Sequence, residues 1–310
     1  PMKAEKRGTL SQRIAREWQK NYMLYLMFLP IFIYFLLFAY KPMYGVLMSF
    51  QDYKPSLGFL HSKWVGFKHF KAFFGGYYFD RLMWNTVYIS LCSLVFEFPA
   101  PIILALLLNE IRVKWFKRTT QTLLYLPHFL SWVVIGAVAY QMFATQSGVV
   151  NALIANAGKS PIPFLQEDGW WLFSYVLIGV WQTMGWGTII YLAAITNVNS
   201  ELYEAAKVDG ANRWQQCLHV TLPCIRSTIV VMLIMQLGKL MGGSFERIVA
   251  LSNAKATEFT TTIPVLVYKW FQGNKFSEST ALGLFQSVIG VILVIASDRV
   301  AKKLGEDGLL

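Results

Sequence analysis

Charged residues are scarce in this chain of 310 residues. They make up 15% of the sequence, and 55% of the residues are hydrophobic, whereas soluble domains average about 25% charged residues. This balance excludes an ordinary soluble domain and predicts a membrane protein that crosses the bilayer several times. The net charge is +11, but the basic residues lie in short stretches between apolar runs. We interpret them as topology signals and lipid contacts, with no nucleic acid as a partner.

Cysteines and catalytic motifs are also sparse. The three cysteines form no CxxC pair, so neither a disulfide framework nor a zinc site is expected. The chain has no HExxH and no GxSxG motif, and Gly158-Lys159-Ser160 matches only the end of a phosphate-binding loop. We therefore expect no catalytic residue, no metal site and no cofactor in this chain, and an energy source supplied by another protein.

Six apolar segments are long enough to cross the hydrocarbon core, which needs about 20 residues of hydrogen-bonded helix. They cover residues 22–40, 85–109, 119–144, 170–195, 226–243 and 279–298. The predicted fold is therefore all-α, with a six-helix transmembrane domain over residues 22–298. The first segment is too long for a signal peptide, so it is expected to remain as a membrane helix. Pro99, Pro101 and Pro127 predict bends in the second and third segments.

Lysine and arginine are denser at the ends of the chain and in its even-numbered loops, which favours cytoplasmic termini. The cytoplasmic parts then include an amphipathic N-terminal segment 1–21, in which Leu10, Ile14 and Trp18 recur every four residues. They also include the loop 196–225 and the tail 299–310. The outer loops are 41–84, 145–169 and 244–278. The first of these is rich in aromatic residues and predicts an ordered cap, and Thr260 to Phe271 predicts an amphipathic helix in the third.

Polar and aromatic side chains interrupt the apolar segments, where a mid-span charge costs about 2.5–3.5 kcal/mol. The candidate substrate path consists of Asn85, Glu97, Trp181, Gln182, Trp186, Gln236, Lys239 and Gln286. Aromatic faces stack on sugar rings and amides bond hydroxyl groups, so this set is consistent with a carbohydrate path. Hydrogen bonds between helices, or aromatic residues that face lipid, explain each member alone equally well.

The longest polar stretch between two apolar segments in the second half runs from Glu204 to Pro223. The sequence predicts two short helices broken at Asp209-Gly210, with Ser200 as the cap of the first and Pro223 at the start of the next helix. Ala205-Ala206 provides a small-residue face on which a partner protein can close. An ordinary interfacial loop could contain any one of these features, but their ordered combination is uncommon.

This combination resembles the loop found in the membrane subunits of binding-protein-dependent ABC importers. That motif is Glu-Ala-Ala, three residues, Gly, nine residues and Ile-x-Leu-Pro. The matching residues here are Glu204-Ala205-Ala206, Gly210 and Val220-Thr221-Leu222-Pro223, with valine in place of isoleucine. Gly243-Ser244-Phe245-Glu246 and Ala281-Leu282-Gly283-Leu284-Phe285 resemble the branch that imports oligosaccharides, and permeases for alginate or other uronate oligomers are the most similar.

The resemblance implies a permease in the bacterial cytoplasmic (inner) membrane that moves oligosaccharide inward by alternating access. Its implied partners are a second homologous permease, a cytoplasmic ATPase dimer that binds ATP and magnesium, a periplasmic or lipid-anchored solute-binding protein, membrane lipids and the cargo. The implied coupling residues are Glu204, Ala205, Ala206, Asp209, Gly210, Arg213, Leu222 and Pro223.

Two alternatives from other classes remain open at this point. An ion-coupled secondary transporter would use Glu97 and Lys239 as coupling residues, but it predicts internal repeats and leaves the Glu204–Pro223 loop unexplained. A membrane-embedded glycan or lipid enzyme would need a catalytic cluster at one membrane interface, and the sequence contains none.

Overall fold

The structure, a computed structural model, describes residues 10–253, 257–306 and 308–309. Within these residues it is built from α-helices joined by short turns, with one small sheet. The α-helices are α1 Leu10–Phe35, α2 Lys41–Met43, α3 Gly58–His61, α4 Lys68–Phe74, α5 Phe79–Glu97, α6 Pro99–Glu110, α7 Lys114–Tyr125, α8 Trp132–Phe143, α9 Val149–Asn156, α10 Asp168–Thr196, α11 Ser200–Val208, α12 Arg213–Gln216, α13 Leu222–Cys224, α14 Arg226–Gly238, α15 Phe245–Leu251, α16 Thr257–Thr260, α17 Ile263–Gln272 and α18 Phe276–Lys303. Short π-helical turns follow α1 and α12, and 3₁₀ turns follow α2 and α7.

Four helical stretches are long and apolar enough to cross a membrane. They are Glu17–Phe50, Phe79–Glu110, Asp168–Thr196 and Phe276–Lys303. Two further stretches qualify only as bent pairs, α7 with α8 at 102° and α12–α13 with α14 at 61°. The all-α membrane fold is therefore confirmed, and the count reaches six if each bent pair is one span.

The stretch 119–144, predicted as one helix, changes direction in the middle. Pro127 lies in the 3₁₀ turn Leu126–Phe129, and Leu130 is extended with ψ 135°. Ser131 then caps α8 by accepting a hydrogen bond from the Val134 amide at 3.4 Å. The break follows the proline because proline cannot donate the backbone hydrogen bond that a continuous helix requires.

Helix α1 contains both the end of the predicted amphipathic segment and the first predicted span. The two parts meet at Asn21, whose backbone is not helical (φ −122°, ψ 16°), and residues 1–9 lie outside the described part of the chain. The most apolar window of this first span buries none of its residues against the rest of the described chain. Its side chains are thus free to contact lipid or a second subunit.

The segment that follows α1 forms the predicted cap. Strands β1 Gln51–Asp52 and β2 Lys63–Trp64 pair antiparallel, with Gln51 opposite Trp64. Ser277 at the start of α18 donates to the Gln51 carbonyl at 2.6 Å and accepts from the Tyr53 amide at 2.9 Å, so the cap is fixed to the last helix. Lys68 donates to Asp52 at 2.9 Å. This hydrogen bond is the largest cause that lowers the pKa of Asp52.

The centre of the bundle is α10, which packs against α5 and α6. Trp171 and Tyr175 of α10 are buried in one apolar cluster that also contains Ile248 and Leu251. These last two residues belong to α15, within the stretch 244–278 that was predicted as an outer loop. Helix α15 packs against α8 and α10, because its apolar face is completed by buried neighbours on both helices.

Candidate functional site

The Glu204–Pro223 loop begins with α11. Its cap is Asn199, whose side chain accepts from the Glu201 amide at 3.0 Å, so the prediction of Ser200 as the cap is corrected by one position. Asparagine caps a helix at least as well as serine, and Ser200 becomes the first helical residue. The helix ends where predicted: Asp209 is its C-terminal cap, and Gly210 has φ +80°. Glycine adopts this left-handed conformation without the steric cost of a side chain.

The second half of the loop is a capped turn tied to the bundle. Asn212 and Gln215 form a reciprocal capping box, with each side chain bonded to the other's backbone amide at 2.8–2.9 Å. Arg213 forms an ion pair with Glu110 at 2.6 Å, and Glu110 is the last residue of α6. The loop is thus connected to the end of the long α5–α6 helix as well as to α10 and α14 by the chain itself.

The loop exposes an apolar surface that nothing in the described chain covers. Val208 is 87% exposed and Trp214 is 70% exposed. Among the predicted coupling residues, six are exposed and Ala206 and Leu222 are half-buried; the exposed ones are Glu204, Ala205, Asp209, Gly210, Arg213 and Pro223. A structured loop with exposed tryptophan and valine side chains has the features of a protein docking surface.

A second polar cluster lies inside the bundle around Arg247 of α15. Its guanidinium is 1% exposed and forms an ion pair with Glu97 at 2.7 Å, while Nη2 donates to Ser93 at 3.2 Å. The Arg247 Cζ atom also lies 3.8 Å from the centroid of the Tyr175 ring. A buried charge needs such partners, because removing one of them leaves an uncompensated charge away from water.

Space for this ion pair comes from Gly179 on α10. A Cβ atom at this position would collide with Nη1 of Arg247 and lie 2.7 Å from Oε1 of Glu97. Gly179 therefore allows the two charged groups to meet against the surface of α10.

The ion pair lines a small cavity of about 140 Å³. Gln236 and Lys239, both from the predicted substrate path, line the same cavity with Glu97, and both are exposed. A wider groove of about 680 Å³ on the other side of Lys239 includes Gln286. Lys239 lines both spaces, so Glu97 and Gln236 in the cavity and Gln286 in the groove lie on either side of one lysine.

The other four predicted path residues lie elsewhere. Asn85 is buried at the beginning of α5, where its side chain donates to the Glu258 carbonyl at 2.8 Å. Gln182 is buried and donates to the His128 carbonyl at 3.4 Å, and Trp186 stacks on the His128 ring at 4.6 Å. Trp181 is exposed on a different face of α10. Each has a packing role or an outward position, and none lines the cavity beside Arg247.

Arg247 was not among the predicted site residues, nor were its neighbours Ser93 and Tyr175. The sequence contains one signal that could have identified it. Arg247 lies four residues before Leu251, so on a helix the two side chains share one face. A charge on the buried face of a short helix needs a buried partner, and Glu97 is the nearby carboxylate.

The described residues contain no group of three or more His, Cys, Asp or Glu side chains placed to hold a metal ion. Cys92, Cys217 and Cys224 are free thiols.

Comparison with known proteins gives consistent matches. The family model described as "binding-protein-dependent transport system inner membrane component" matches residues 97–305. The polygalacturonan/rhamnogalacturonan transport system permease protein YteP of Bacillus subtilis (strain 168) is 46% identical over 308 residues, 99% of this chain and 95% of that protein. Protein LplB of the same strain is 43% identical over 292 residues, 94% of this chain and 92% of that protein.

Two solved structures also match nearly the whole chain. A crystal structure of a bacterial alginate ABC transporter, in complex with an alginate pentasaccharide-bound periplasmic protein, contains a chain with a TM-score of 0.87 and 36% identity. The match covers 96% of this chain and 100% of that chain. A second crystal structure, of a bacterial ABC transporter involved in the import of the acidic polysaccharide alginate, gives a TM-score of 0.86 at 36% identity and covers 94% and 99%.

Proposed function

Because the chain belongs to the family of binding-protein-dependent transport system inner membrane components, we propose that it forms half of the membrane path of an ATP-driven importer for acidic oligosaccharides. The family consists of transport subunits, so the chain is a multi-pass inner-membrane permease of a carbohydrate ABC transporter and not an enzyme. It works with an ATPase and a binding protein. We also propose which residues couple the chain to the ATPase, a second permease as its partner, the orientation of the chain in the membrane and the type of cargo.

The Glu204–Pro223 loop is the proposed contact with the ATPase, which places this loop and both termini in the cytoplasm. The observation that carries this assignment is a capped loop that exposes Val208 and Trp214 and is bonded to α6 through Arg213. A docking surface that is capped at its turns and bonded to a long helix can transmit a displacement into the bundle. ATP and magnesium bind to the ATPase dimer, whose closure would switch the two permeases between inward-facing and outward-facing states.

The second permease is the proposed partner of the exposed apolar surface of α1 and of the groove beside Lys239. Gln236, Lys239 and Gln286 line cavities that are open at the surface of the single chain. Polar groups at such a surface suit a path shared between two subunits, since they would otherwise face lipid at considerable cost. A periplasmic or lipid-anchored binding protein would deliver cargo at the opposite end from the Glu204–Pro223 loop.

An acidic cargo is supported by charge in the cavity and by the relatives. Arg247 is neutralised by Glu97, whereas the ammonium of Lys239 has no ion pair with any described residue. The cavity therefore has one uncompensated positive charge, which favours a carboxylate. The related solved transporter imports the acidic polysaccharide alginate.

The coupling assignment is tested by placing Gly210→Leu in the reconstituted complex with its second permease, ATPase and binding protein. Leucine at φ +80° strains the turn, so we expect ATP hydrolysis to continue while cargo uptake is lost. Glu204→Lys is expected to uncouple the complex in the same way. The matched control is Gly158→Leu, because Gly158 also has a positive φ (75°) and open space around it but lies in the 145–169 loop. Normal uptake with Gly210→Leu and Glu204→Lys would contradict the assignment.

The cargo assignment is tested with the same vesicles and a panel of acidic and neutral oligosaccharides of equal length. We expect acidic oligosaccharides to stimulate ATP hydrolysis and to accumulate inside, and Lys239→Gln to weaken uptake of the acidic members selectively. Stimulation by neutral sugars alone would refute the acidic cargo and leave the permease assignment intact.

A further inference from the structure

A separate apolar cavity of about 390 Å³ lies at the end of the bundle where α5 begins. Its walls are contributed by α4, α5 and α17, with Phe73, Leu82, Leu266 and Trp270 among the lining side chains. The cavity is distant from the Glu204–Pro223 loop. Glu110, which contacts that loop, is at the other end of the 32-residue stretch Phe79–Glu110, and a helix of this length spans about 48 Å.

The packing around the cavity is specific. The buried side chain of Asn85 donates to the carbonyls of Glu258 and Thr261 at 2.8 and 3.3 Å, and the Ile263 amide donates to the Thr86 hydroxyl at 2.9 Å. These bonds hold the start of α17 against α5 and fix the width of the space between them. The cavity is therefore a defined feature of the packing.

The mouth of the cavity is charged although its walls are apolar. Arg81 and Glu258 form an ion pair there at 2.6 Å, and the Arg81 side chain is 53% exposed. An arginine has five N–H donors in total, so the guanidinium retains donors for an anion beside the carboxylate of Glu258.

The aromatic residues at this end of α5 are of the kind found at the depth of lipid headgroups, and one of them, Tyr78, lines the cavity. Tyr77, Tyr78 and Trp84 are all exposed at this end of α5, and tyrosine and tryptophan concentrate where membranes meet water. Helix α17 buries Ile263 and Val265 but exposes Tyr268 and Lys269, which is the pattern of a helix lying in the interface.

We propose that this cavity binds one acyl chain of a membrane phospholipid, with the lipid phosphate accepting hydrogen bonds from Arg81. An acyl chain fills an apolar cavity without needing hydrogen bonds. A sugar would leave its hydroxyl groups unpaired against Phe73, Leu82 and Leu266. Arg81 retains N–H donors for the phosphate beside its bond to Glu258, and the exposed tyrosine and tryptophan side chains at this end of α5 match the depth of the headgroup. This site is distinct from the polar cavity beside Arg247 and does not depend on the identity of the cargo.

The experiment uses the complete transporter in nanodiscs that contain a phosphatidylglycerol with a diazirine near the end of one acyl chain. After irradiation, mass spectrometry locates the lipid adducts. We expect adducts at Leu82 and Leu266 in several-fold excess over adducts at Leu91 and Val95, which are exposed on α5. Equal labelling of these four positions would show that the cavity holds no lipid and would overturn the proposal.

A cavity-filling variant distinguishes lipid bound in the cavity from lipid that contacts the protein surface in general. Ala72 lines the cavity, so Ala72→Phe is expected to reduce the adducts at Leu82 and Leu266 several-fold. Ala152→Phe, at an exposed alanine of α9, is expected to leave them unchanged. Adducts that persist in Ala72→Phe, or lipid adducts found only on another subunit of the transporter, would refute the site.

The phosphate contact has its own control. A diacylglycerol with the same diazirine chain lacks the phosphate and is expected to label the cavity several-fold less, and Arg81→Gln should lower labelling by phosphatidylglycerol to that level. Equal labelling by the two probes in the unsubstituted transporter would refute the contact with Arg81.

Discussion

Replacement of Arg247 by methionine should destabilise the permease because it removes one member of a buried ion pair. The Arg247 side chain is 1% exposed and the Glu97 side chain 18% exposed, so water cannot fully solvate the carboxylate that remains when Arg247 is replaced. Removing one partner of a buried pair costs about 3–5 kcal/mol, because the other charge is left uncompensated. We expect Arg247→Met to lower the free energy of unfolding by an amount in this range.

The double variant Glu97→Met with Arg247→Met tests the cause. Replacing both members of a buried ion pair by apolar side chains is often neutral or stabilising, so this variant should be within about 1 kcal/mol of the wild type. The coupling energy between the two positions is then about 3 kcal/mol or more. The assay is denaturant titration of the purified complex in detergent, followed by tryptophan fluorescence.

Two outcomes would refute this reasoning. If the single and double variants lose the same stability, the unpaired carboxylate of Glu97 is not the cause of the loss. If Arg247→Met is no less stable than Arg299→Met, in which an exposed arginine of α18 is replaced, the buried pair contributes nothing measurable.

Three further predictions concern Gly179, Arg213 and Asp52. Gly179→Ala places a Cβ against Nη1 of Arg247 and should lower the free energy of unfolding by about 1–3 kcal/mol through overpacking. The same denaturant titration measures this loss. Unchanged stability would show that the Arg247–Glu97 pair can shift to make room for the methyl group. Arg213→Ala breaks an exposed ion pair with Glu110, so it should change the free energy of unfolding by less than about 1 kcal/mol. In vesicles it should lower the amount of cargo taken up per ATP hydrolysed. If uptake per ATP is unchanged, Arg213 does not help to couple the loop to α6. Lys68 lowers the pKa of Asp52 below its ordinary value of 3.8, so the stabilisation from this group is present above that value and is lost as pH falls through the lower folded pKa. In thermal melts from about pH 5 to pH 3, the melting temperature of the wild type should therefore fall more than that of Asp52→Asn. If the melting temperatures of the two proteins depend on pH in the same way, the pair of Asp52 with Lys68 does not contribute as assigned.

The Glu204–Pro223 loop could be predicted in detail because its information is local. Gly210 marks a turn that requires a positive φ, and Asp209 directly precedes it, so the end of α11 follows from two adjacent residues. The cap was misplaced by one residue because Asn199 and Ser200 are both good capping residues. Only the backbone conformation decides between two such neighbours.

The polar cluster could be predicted only in part because its members are distant in sequence. Arg247 and Glu97 are 150 residues apart, and no local pattern states that α15 folds back into the bundle. Glu97 and Lys239 were recognised by the cost of a charge in an apolar segment. The same criterion selected Asn85 and Gln182, which satisfy their hydrogen bonds elsewhere, since composition alone does not tell which face of a helix a side chain occupies.

Two ion pairs near the ends of α6 connect this helix to the Glu204–Pro223 loop and to α15. Glu110 at one end is paired with Arg213 of the loop. Glu97, the last residue of α5 and two residues before the other end, is paired with Arg247 of α15. The two carboxylates are 13 positions apart, which on a helix is roughly 20 Å along the axis. A rigid tilt of about five degrees over that length moves one end by roughly 2 Å relative to the other. Such a displacement exceeds the tolerance of a charged hydrogen bond, so a tilt of α6 that displaced its loop end would also strain the buried pair at the other end.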